Sequence, residues 1–233
     1  MQTWTRRLVQ FHHYLTAHAV YASVLASGLA VALLAGRAAR SHSLTYFFLL
    51  WNLFLAWIPY LCSLWADRFD ARRSRNTRRI VLPSLLWLAF FPNAPYILTD
   101  IWHLQARHPI PLWYDASLLS VFALAGLFLA VFSLRTMQRL VRSYGGSLVG
   151  WIFVLLAVTL AGLGVYLGRF LRWNSWDLLL HPHLVFGDVV VRLTNPMDHP
   201  RAIAFTVLSA AILLVCYLAI HSGEDPRRVE ERA

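Results

Sequence analysis

The chain has 233 residues, of which 58% are hydrophobic and only 14% are charged, and its mean hydropathy is +0.54. Soluble globular domains contain about 45–50% apolar and about 25% charged residues, so both departures point toward a lipid environment. This composition excludes a disordered chain, a coiled coil and an ordinary cytosolic enzyme. It predicts an integral membrane protein.

The charge is strongly basic, with 21 basic residues against 11 acidic ones, and every basic residue is arginine. In so apolar a chain the surplus is best explained by membrane topology. No segment has the pattern of a nucleic-acid-binding module, so we expect the lipid bilayer and no nucleic acid as a partner. The two cysteines, Cys62 and Cys216, lie inside apolar runs and are expected to be core residues without a disulfide.

Six segments are long and apolar enough to cross a bilayer core of about 30 Å, which needs about 20 helical residues. The fold class predicted from them is an all-α, polytopic transmembrane helical bundle. The first segment is too long for the apolar region of a signal peptide, so it is expected to be an uncleaved span. The predicted spans cover residues 15–36, 43–66, 80–98, 116–134, 148–168 and 202–220.

The arginines predict which way the spans face. Fourteen arginines fall on the side that holds the dense run from Asp67 to Arg79, and seven fall on the other side. Because positive charge accumulates on the cytoplasmic side, both termini are predicted to be cytoplasmic. Residues 1–221 are predicted to form a single transmembrane domain. The polar tail 222–233 is expected to be disordered.

The loop 169–201 is predicted to lie on the outer side and to contain a short helix. Five apolar residues recur there at helical spacing, while Asp188 and Arg192 stand four residues apart on the predicted opposite face. The helix is too short to span, so it is expected to lie at the membrane interface. The apolar positions are Val185, Phe186, Val189, Val190 and Leu193.

Glycines predict two packing features. The pair Gly145-Gly146 is expected to form a tight hairpin between the fourth and fifth spans. Gly164 and Gly168 form a small-xxx-small pair in the fifth span, which allows close helix contact. This pair predicts packing inside the bundle, and a homodimer seam is the alternative.

Polar and aromatic residues gather at the predicted outer ends of three spans. Pro92 and Pro95 must kink or break the third span near Asn93. Broken backbone at membrane depth is tolerated where it is buried in protein or lines a cavity. The break is therefore either a packing kink or the wall of an outer pocket with Asn93 at its floor.

Several of these residues also have purely structural interpretations. Asp115 has the position of an N-cap for the fourth span, and Asn174 with Asp177 has the spacing of a capping box. Asp100 and His103 share a helix face, but two such residues are a weak metal signal, and no metal or other cofactor is predicted. The outer tryptophans predict an interfacial belt or, alternatively, a platform for a sugar or lipid headgroup.

These residues together give a hypothesis about an outer cavity. Arg169 and Arg172 are expected to pair with some of Asp100, Asp115 and Asp177 and so to close a polar vestibule. No residue is assigned a catalytic role. The candidate ligand-binding residues are Asn93, Tyr96, Asp100, His103, Trp113, Tyr114, Asp115, Arg169, Arg172, Trp173, Asn174, Trp176 and Asp177.

Three segments also resemble a bacterial membrane-protein family, the domain of unknown function numbered 1361. The resemblance covers about residues 45–200 and implies a multi-span protein of the bacterial inner membrane. It implies no reaction, substrate or cofactor. The segments are Phe91-Pro92-Asn93-Ala94-Pro95-Tyr96 with Thr99-Asp100, Trp113-Tyr114-Asp115, and Gly168-Arg169 with Arg172-Trp173-Asn174-Ser175-Trp176-Asp177.

Three functions remain open from the sequence. The first is a membrane protein whose outer cluster binds a lipid headgroup or a small polar solute. The second is a non-catalytic scaffold or assembly subunit of a membrane complex. The third is an enzyme that modifies an envelope lipid at the outer leaflet, but no catalytic signature supports it, and the sequence favours a protein that is not an enzyme.

Overall fold

A computed structural model describes residues 12, 14–16, 18–71 and 77–222. The predicted tail 222–233 lies outside the described residues except for Ser222, which ends the last helix. The arginine pair at positions 6 and 7 and part of the basic run after Asp67 also lie outside the described residues. Within the described ranges the chain is helical and contains no β-strand, as the composition predicted. The helices are α1 (Val20–Ser41), α2 (Phe48–Ala71), α3 (Thr77–Phe90), α4 (Asn93–Tyr96), α5 (Leu112–Tyr166), α6 (Asp177–Leu180), α7 (Pro182–Thr194) and α8 (Pro200–Ser222).

Five helical stretches of the described chain have the length and hydropathy of membrane spans, so the chain is an integral membrane protein with several spans. One of them, Leu112–Leu171, is 60 residues long, far more than a single crossing needs. Four match predicted spans, and this long one covers the predicted fourth and fifth. Their bounds are Val20–Ser41, Phe48–Asp70, Arg79–His103, Leu112–Leu171 and Pro200–Ser222.

The long helix α5 reverses direction at Gly146, where φ is +80° and ψ is −179°. Glycine adopts this backbone conformation without the steric cost that a side chain would add. Gly126 and Gly164 lie on opposite sides of the reversal, yet both pack against the segment that follows α3. About 40 residues of straight helix would separate them by about 60 Å. The two arms of α5 therefore form the predicted hairpin, which brings the count of crossings in the described part of the chain to six.

The third span breaks where the two prolines predicted it would. Helix α3 ends at Phe90, the short helix α4 begins at Asn93, and a 3₁₀ helix continues from Ile97 to His103. The Asn93 side chain supports the break, because its Nδ2 donates to the Phe90 carbonyl oxygen at 2.9 Å and to Ser175 Oγ at 2.7 Å. The first of these bonds satisfies a carbonyl group that the helix end leaves without a partner.

The two glycines of the fifth span pack against this broken segment. A Cβ at Gly164 would lie 2.6 Å from the ring of Pro92, and one at Gly168 would lie 3.2 Å from the ring of Tyr96. The small-residue pair therefore serves contact inside the bundle, as predicted. It holds the second arm of α5 against the residues that follow α3.

Candidate functional site

A cavity of about 390 Å³ opens beside the broken third span. Its walls come from the start of α2, the α3–α4 break, the second arm of α5 and the segment that leads into α7. From Ala157 to Gly168 it follows the second arm of α5 and the π-helical turn after it, Leu167–Leu171, for about 16 Å. This volume lies in the range of small-molecule pockets, about 300–1,000 Å³.

The two ends of the cavity differ in chemistry. One end is apolar and is lined by residues such as Leu55, Leu88 and Ala161, whereas the end beside the helix break is lined by Asn52 and Asn93. Other polar groups at that end come from Tyr96, Asn174 and Ser175. Among the described residues no charged side chain lines the cavity.

The cavity reaches the surface that faces lipid. Three of its lining residues, Trp51, Leu88 and Leu160, are also exposed on the outside of the bundle, by 54%, 43% and 49%. Exposed apolar side chains on membrane-spanning helices face lipid tails. The cavity is therefore open on the side of the bundle, beside exposed apolar side chains of α2, α3 and the second arm of α5.

Asp100 lies behind the cavity and is buried, with 1% of its surface exposed. Its Oδ2 accepts a hydrogen bond of 2.7 Å from Asn52 Nδ2. Its Oδ1 lies 3.8 Å from Arg169 Nη1 and 4.0 Å from His103 Nδ1 but accepts no hydrogen bond from the described groups. The predicted pairing of Arg169 with Asp100 is therefore present, and Asn52 connects this buried pair to the cavity.

The rest of the ion-pair hypothesis is wrong. Asp115 pairs with Arg37 of α1, with Oδ1 2.6 Å from Nε and Oδ2 3.1 Å from Nη2, and both side chains are buried. Asp115 is also not an N-cap, since α5 begins three residues earlier, at Leu112. Arg172 is exposed at the end of the π-helical turn, and no carboxylate in the described chain pairs with it. The reason is the arrangement of the spans. Helix α1 places Arg37 directly beside Asp115, so that carboxylate is paired with Arg37 and not with Arg169 or Arg172.

The Arg37–Asp115 pair is enclosed by aromatic residues. The Arg37 guanidinium lies 4.5 Å from the centre of the Tyr46 ring, and the Tyr46 hydroxyl donates to the His103 carbonyl oxygen at 3.0 Å. Tyr46 lies in the loop between α1 and α2, and burial with the nearby Asp115 charge raises its pKa. Tyr114 donates to the Leu33 carbonyl oxygen at 2.8 Å. These contacts join α1 to the start of α5.

Asp177 forms only part of the capping box that its spacing predicted. Its Oδ2 accepts the backbone N–H of Asn174 at 2.7 Å, the return bond of that motif, but α6 begins at Asp177 itself and no side chain of the described structure caps its start. This bond shapes the turn that carries Trp173, Asn174 and Ser175 along the cavity. Asp177 therefore positions the cavity wall and does not belong to an ion pair with Arg169 or Arg172.

Helix α7 closes the cavity at the end beside the break, through Val185 and Phe186. It is fixed by Asp188, which accepts from Trp173 Nε1 at 2.7 Å and from Arg192 Nη1 at 2.9 Å. Burial alone would raise the pKa of Asp188, but these two hydrogen bonds and the Arg192 charge outweigh it and lower that pKa. The carboxylate is therefore the favoured form.

The two faces of α7 divide differently from the predicted apolar and polar faces. The helix and its four-residue ion pair are present, but Asp188 and Arg192 face the protein together with Val185. Phe186 and Val190 are the exposed side chains. Periodicity finds two faces of a helix, but it cannot tell a face that packs on lipid from one that packs on protein. The Leu193 side chain lies outside the described residues.

The predicted site residues thus fall into separate groups. Asn93, Tyr96, Trp173 and Asn174 line the cavity, and Trp176 lies beside it, with its ring 6.4 Å from that of Trp51. Asp100, His103 and Arg169 lie behind the cavity. Asp115 pairs with Arg37, and Tyr114 contacts the same helix α1. Trp113 is exposed next to Tyr114. Within the described chain no three His, Cys, Asp or Glu side chains are placed to share a metal ion.

Sequence reasoning did not assign Arg37, Ser175 or Asn52 to the site. Arg37 is one of the seven arginines on the predicted outer side, Ser175 lies inside the third motif segment, and Asn52 lies within the predicted second span. A polar side chain inside an apolar span is itself a signal, because such groups are costly in lipid and usually face a partner or a cavity. That signal identifies Asn52 from the sequence alone.

The helices and the cavity define a polytopic membrane protein with an amphipathic pocket that is open at the surface of the bundle. The chain belongs to the family described as protein of unknown function (DUF1361), whose profile matches residues 51–216. The match includes the helix break, the cavity walls and helix α7. Neither the curated proteins nor the solved structures contain a match to this chain.

Proposed function

We propose that this protein binds an amphipathic lipid in the cavity beside the broken third span. The observation that carries the proposal is the division of the cavity into an apolar wall open to the bilayer and a polar end lined by amide and hydroxyl groups. A headgroup fits the polar end, and an acyl chain fits along the apolar wall. A small polar solute would leave that wall unused.

The exposed lining residues support entry from the membrane. Trp51, Leu88 and Leu160 belong both to the cavity and to the outer surface of the bundle. Burying an acyl chain against such a wall replaces contact with other lipid tails, so it contributes little affinity by itself. Selectivity must then come from the polar end, where each hydrogen bond forms away from water.

The arginine distribution supports a location and orientation for this activity. It favours the cytoplasmic membrane of a bacterium, with both termini inside and the cavity in the outer leaflet. In that arrangement Trp173 and Trp176 stand at the level of the headgroups, where tryptophan is favoured.

Filling the cavity with a side chain tests the proposal. Ala89 is half-buried and lines the cavity, so Ala89→Trp places an indole where the lipid is expected. We expect native mass spectrometry of protein released from nanodiscs to show one retained lipid on the wild type and at least a tenfold lower retained fraction on the variant.

The matched control is Leu85→Trp, one turn earlier on α3. Leu85 is 59% exposed and does not line the cavity, so this tryptophan is accommodated on the lipid-facing surface. It should leave retention unchanged. Equal retention in both variants, with both proteins folded, would contradict binding in this cavity.

A further inference from the structure

The asparagines at the polar end of the cavity present their carbonyl oxygens and not their amino groups. Asn52 Nδ2 donates to Asp100 Oδ2 at 2.7 Å, and Asn93 Nδ2 donates to the Phe90 carbonyl oxygen at 2.9 Å. A backbone carbonyl and an ionised carboxylate can only accept hydrogen bonds. The identity of each partner therefore fixes the orientation of the amide.

Asn174 is oriented in the same way. Its Nδ2 lies 3.3 Å from Asp177 Oδ2, a carboxylate oxygen that also accepts the Asn174 backbone N–H. Asn93 has a second bond from Nδ2, to Ser175 Oγ at 2.7 Å, so its amino group is fully used. In the described structure none of the three Oδ1 atoms accepts a hydrogen bond from protein, although all three residues line the cavity.

The polar end is therefore rich in acceptors and carries no formal charge. Asn52 and Asn93 are half-buried, and an amide oxygen with restricted access to water loses free energy unless a donor reaches it, so a ligand with several donors is favoured. A phosphate or carboxylate offers mostly acceptors and finds no cation among the lining side chains. An ammonium group offers donors, but no carboxylate lines the cavity to balance its charge.

Two further features fit hydroxyl groups. The hydroxyls of Tyr96 and Ser175 can each donate as well as accept, and so complement a group that does both. Trp51 adds an aromatic ring to the wall near the polar end, and such a ring packs well against the C–H faces of a sugar. A phosphate-bearing head would gain nothing from this ring.

We infer that the cavity selects an amphiphile whose headgroup is uncharged and polyhydroxylated, as in a glycolipid. The inference rests on the proposed function and specifies its ligand class. Asp100 acts here as a positioning residue, because its carboxylate holds the Asn52 amide with the oxygen available to the cavity. Arg169, 3.8 Å from Asp100, in turn compensates the buried carboxylate.

The experiment compares headgroups on one lipid backbone in phosphatidylcholine nanodiscs. The probes are monoglucosyl-diacylglycerol, the same lipid with all sugar hydroxyls methylated, phosphatidic acid with the same acyl chains, and free glucose. Methylation keeps the acceptors but removes every donor. We expect native mass spectrometry to show at least tenfold greater retention of the glucosyl lipid than of the methylated lipid or phosphatidic acid, and no retained glucose.

A variant pair assigns the preference to the cavity. Asn93→Ser removes one carbonyl acceptor and should reduce the preference for the glucosyl lipid over its methylated analogue several-fold. Asn195→Ser changes an exposed asparagine that does not line the cavity and should leave the preference unchanged. Because the headgroup series needs only the wild-type protein, it decides the question even if Asn93→Ser fails to fold.

The outcomes separate this inference from the proposed function. Equal retention of the glucosyl and methylated lipids would contradict the inference that the cavity recognises hydroxyl donors, and so would displacement of the glucosyl lipid by phosphatidic acid. Either result would leave the proposed lipid-binding function intact. Retention of free glucose as strongly as of the lipid would contradict the inference that the ligand is an amphiphile. Retention of no lipid at all would contradict the proposed function itself.

Discussion

Replacing Arg37 by leucine is expected to lower the free energy of unfolding by about 3–5 kcal/mol. The substitution leaves the Asp115 carboxylate buried without its two hydrogen bonds of 2.6 and 3.1 Å. An unpaired buried charge is among the most destabilising changes that a single substitution produces. The measurement is unfolding in mixed micelles by titration with dodecyl sulfate, followed by circular dichroism.

Two further variants make this prediction specific. Arg40→Leu, on the same helix, removes an exposed arginine and should change the free energy of unfolding by no more than about 0.5 kcal/mol. The double variant Arg37→Leu/Asp115→Leu removes both charges and should recover most of the loss, because two apolar side chains need no partner. If Arg37→Leu and Arg40→Leu lowered the free energy of unfolding by similar amounts, the buried ion pair would not be a specific source of stability.

Adding one methyl group at Gly126 is expected to destabilise the fold by about 1–3 kcal/mol. In the Gly126→Ala variant the new Cβ would lie 2.6 Å from the Ala94 carbonyl oxygen and 3.1 Å from the Ile97 side chain. Alanine favours helix over glycine by about 1 kcal/mol, so a net loss means that the clash outweighs this gain. Thermal unfolding in detergent measures it.

The matched control is Gly28→Ala in α1, where a Cβ would meet nothing within 4 Å. That variant should be unchanged or slightly more stable. Because Ala94 and Ile97 belong to the segment beside Asn93, Gly126→Ala should also reduce lipid retention. A stabilised Gly126→Ala protein would mean that the first arm of α5 does not hold this segment closely.

The sequence predicted the architecture well because each of its signals acts locally. Twenty apolar residues in a row specify a span, two prolines specify a break, and Gly146 permits the reversal in α5. The pair Gly164 and Gly168 predicted close packing. The spacing of the two glycines could not predict that they contact Pro92 and Tyr96, since those contacts depend on how the spans are arranged.

The candidate site was predicted only in part, because long-range contacts determine it. Asn93, Tyr96, Trp173 and Asn174 line the cavity as a local motif suggested. The partner of Asp115 could not be predicted, since Arg37 is 78 residues away along the chain. The residues that α7 turns toward the protein could not be predicted for a related reason: its apolar residues are suited to lipid and to a protein core alike.

A structure of the protein in nanodiscs made from lipids of a bacterial cytoplasmic membrane would show directly whether a lipid occupies the cavity. We expect elongated density in the cavity, with a head within hydrogen-bond distance of the carbonyl oxygens of Asn52 and Asn93. The tail should leave between Leu88 and Leu160. A cavity that is collapsed, or that holds only water while lipid stays outside the bundle, would contradict the proposed lipid-binding function.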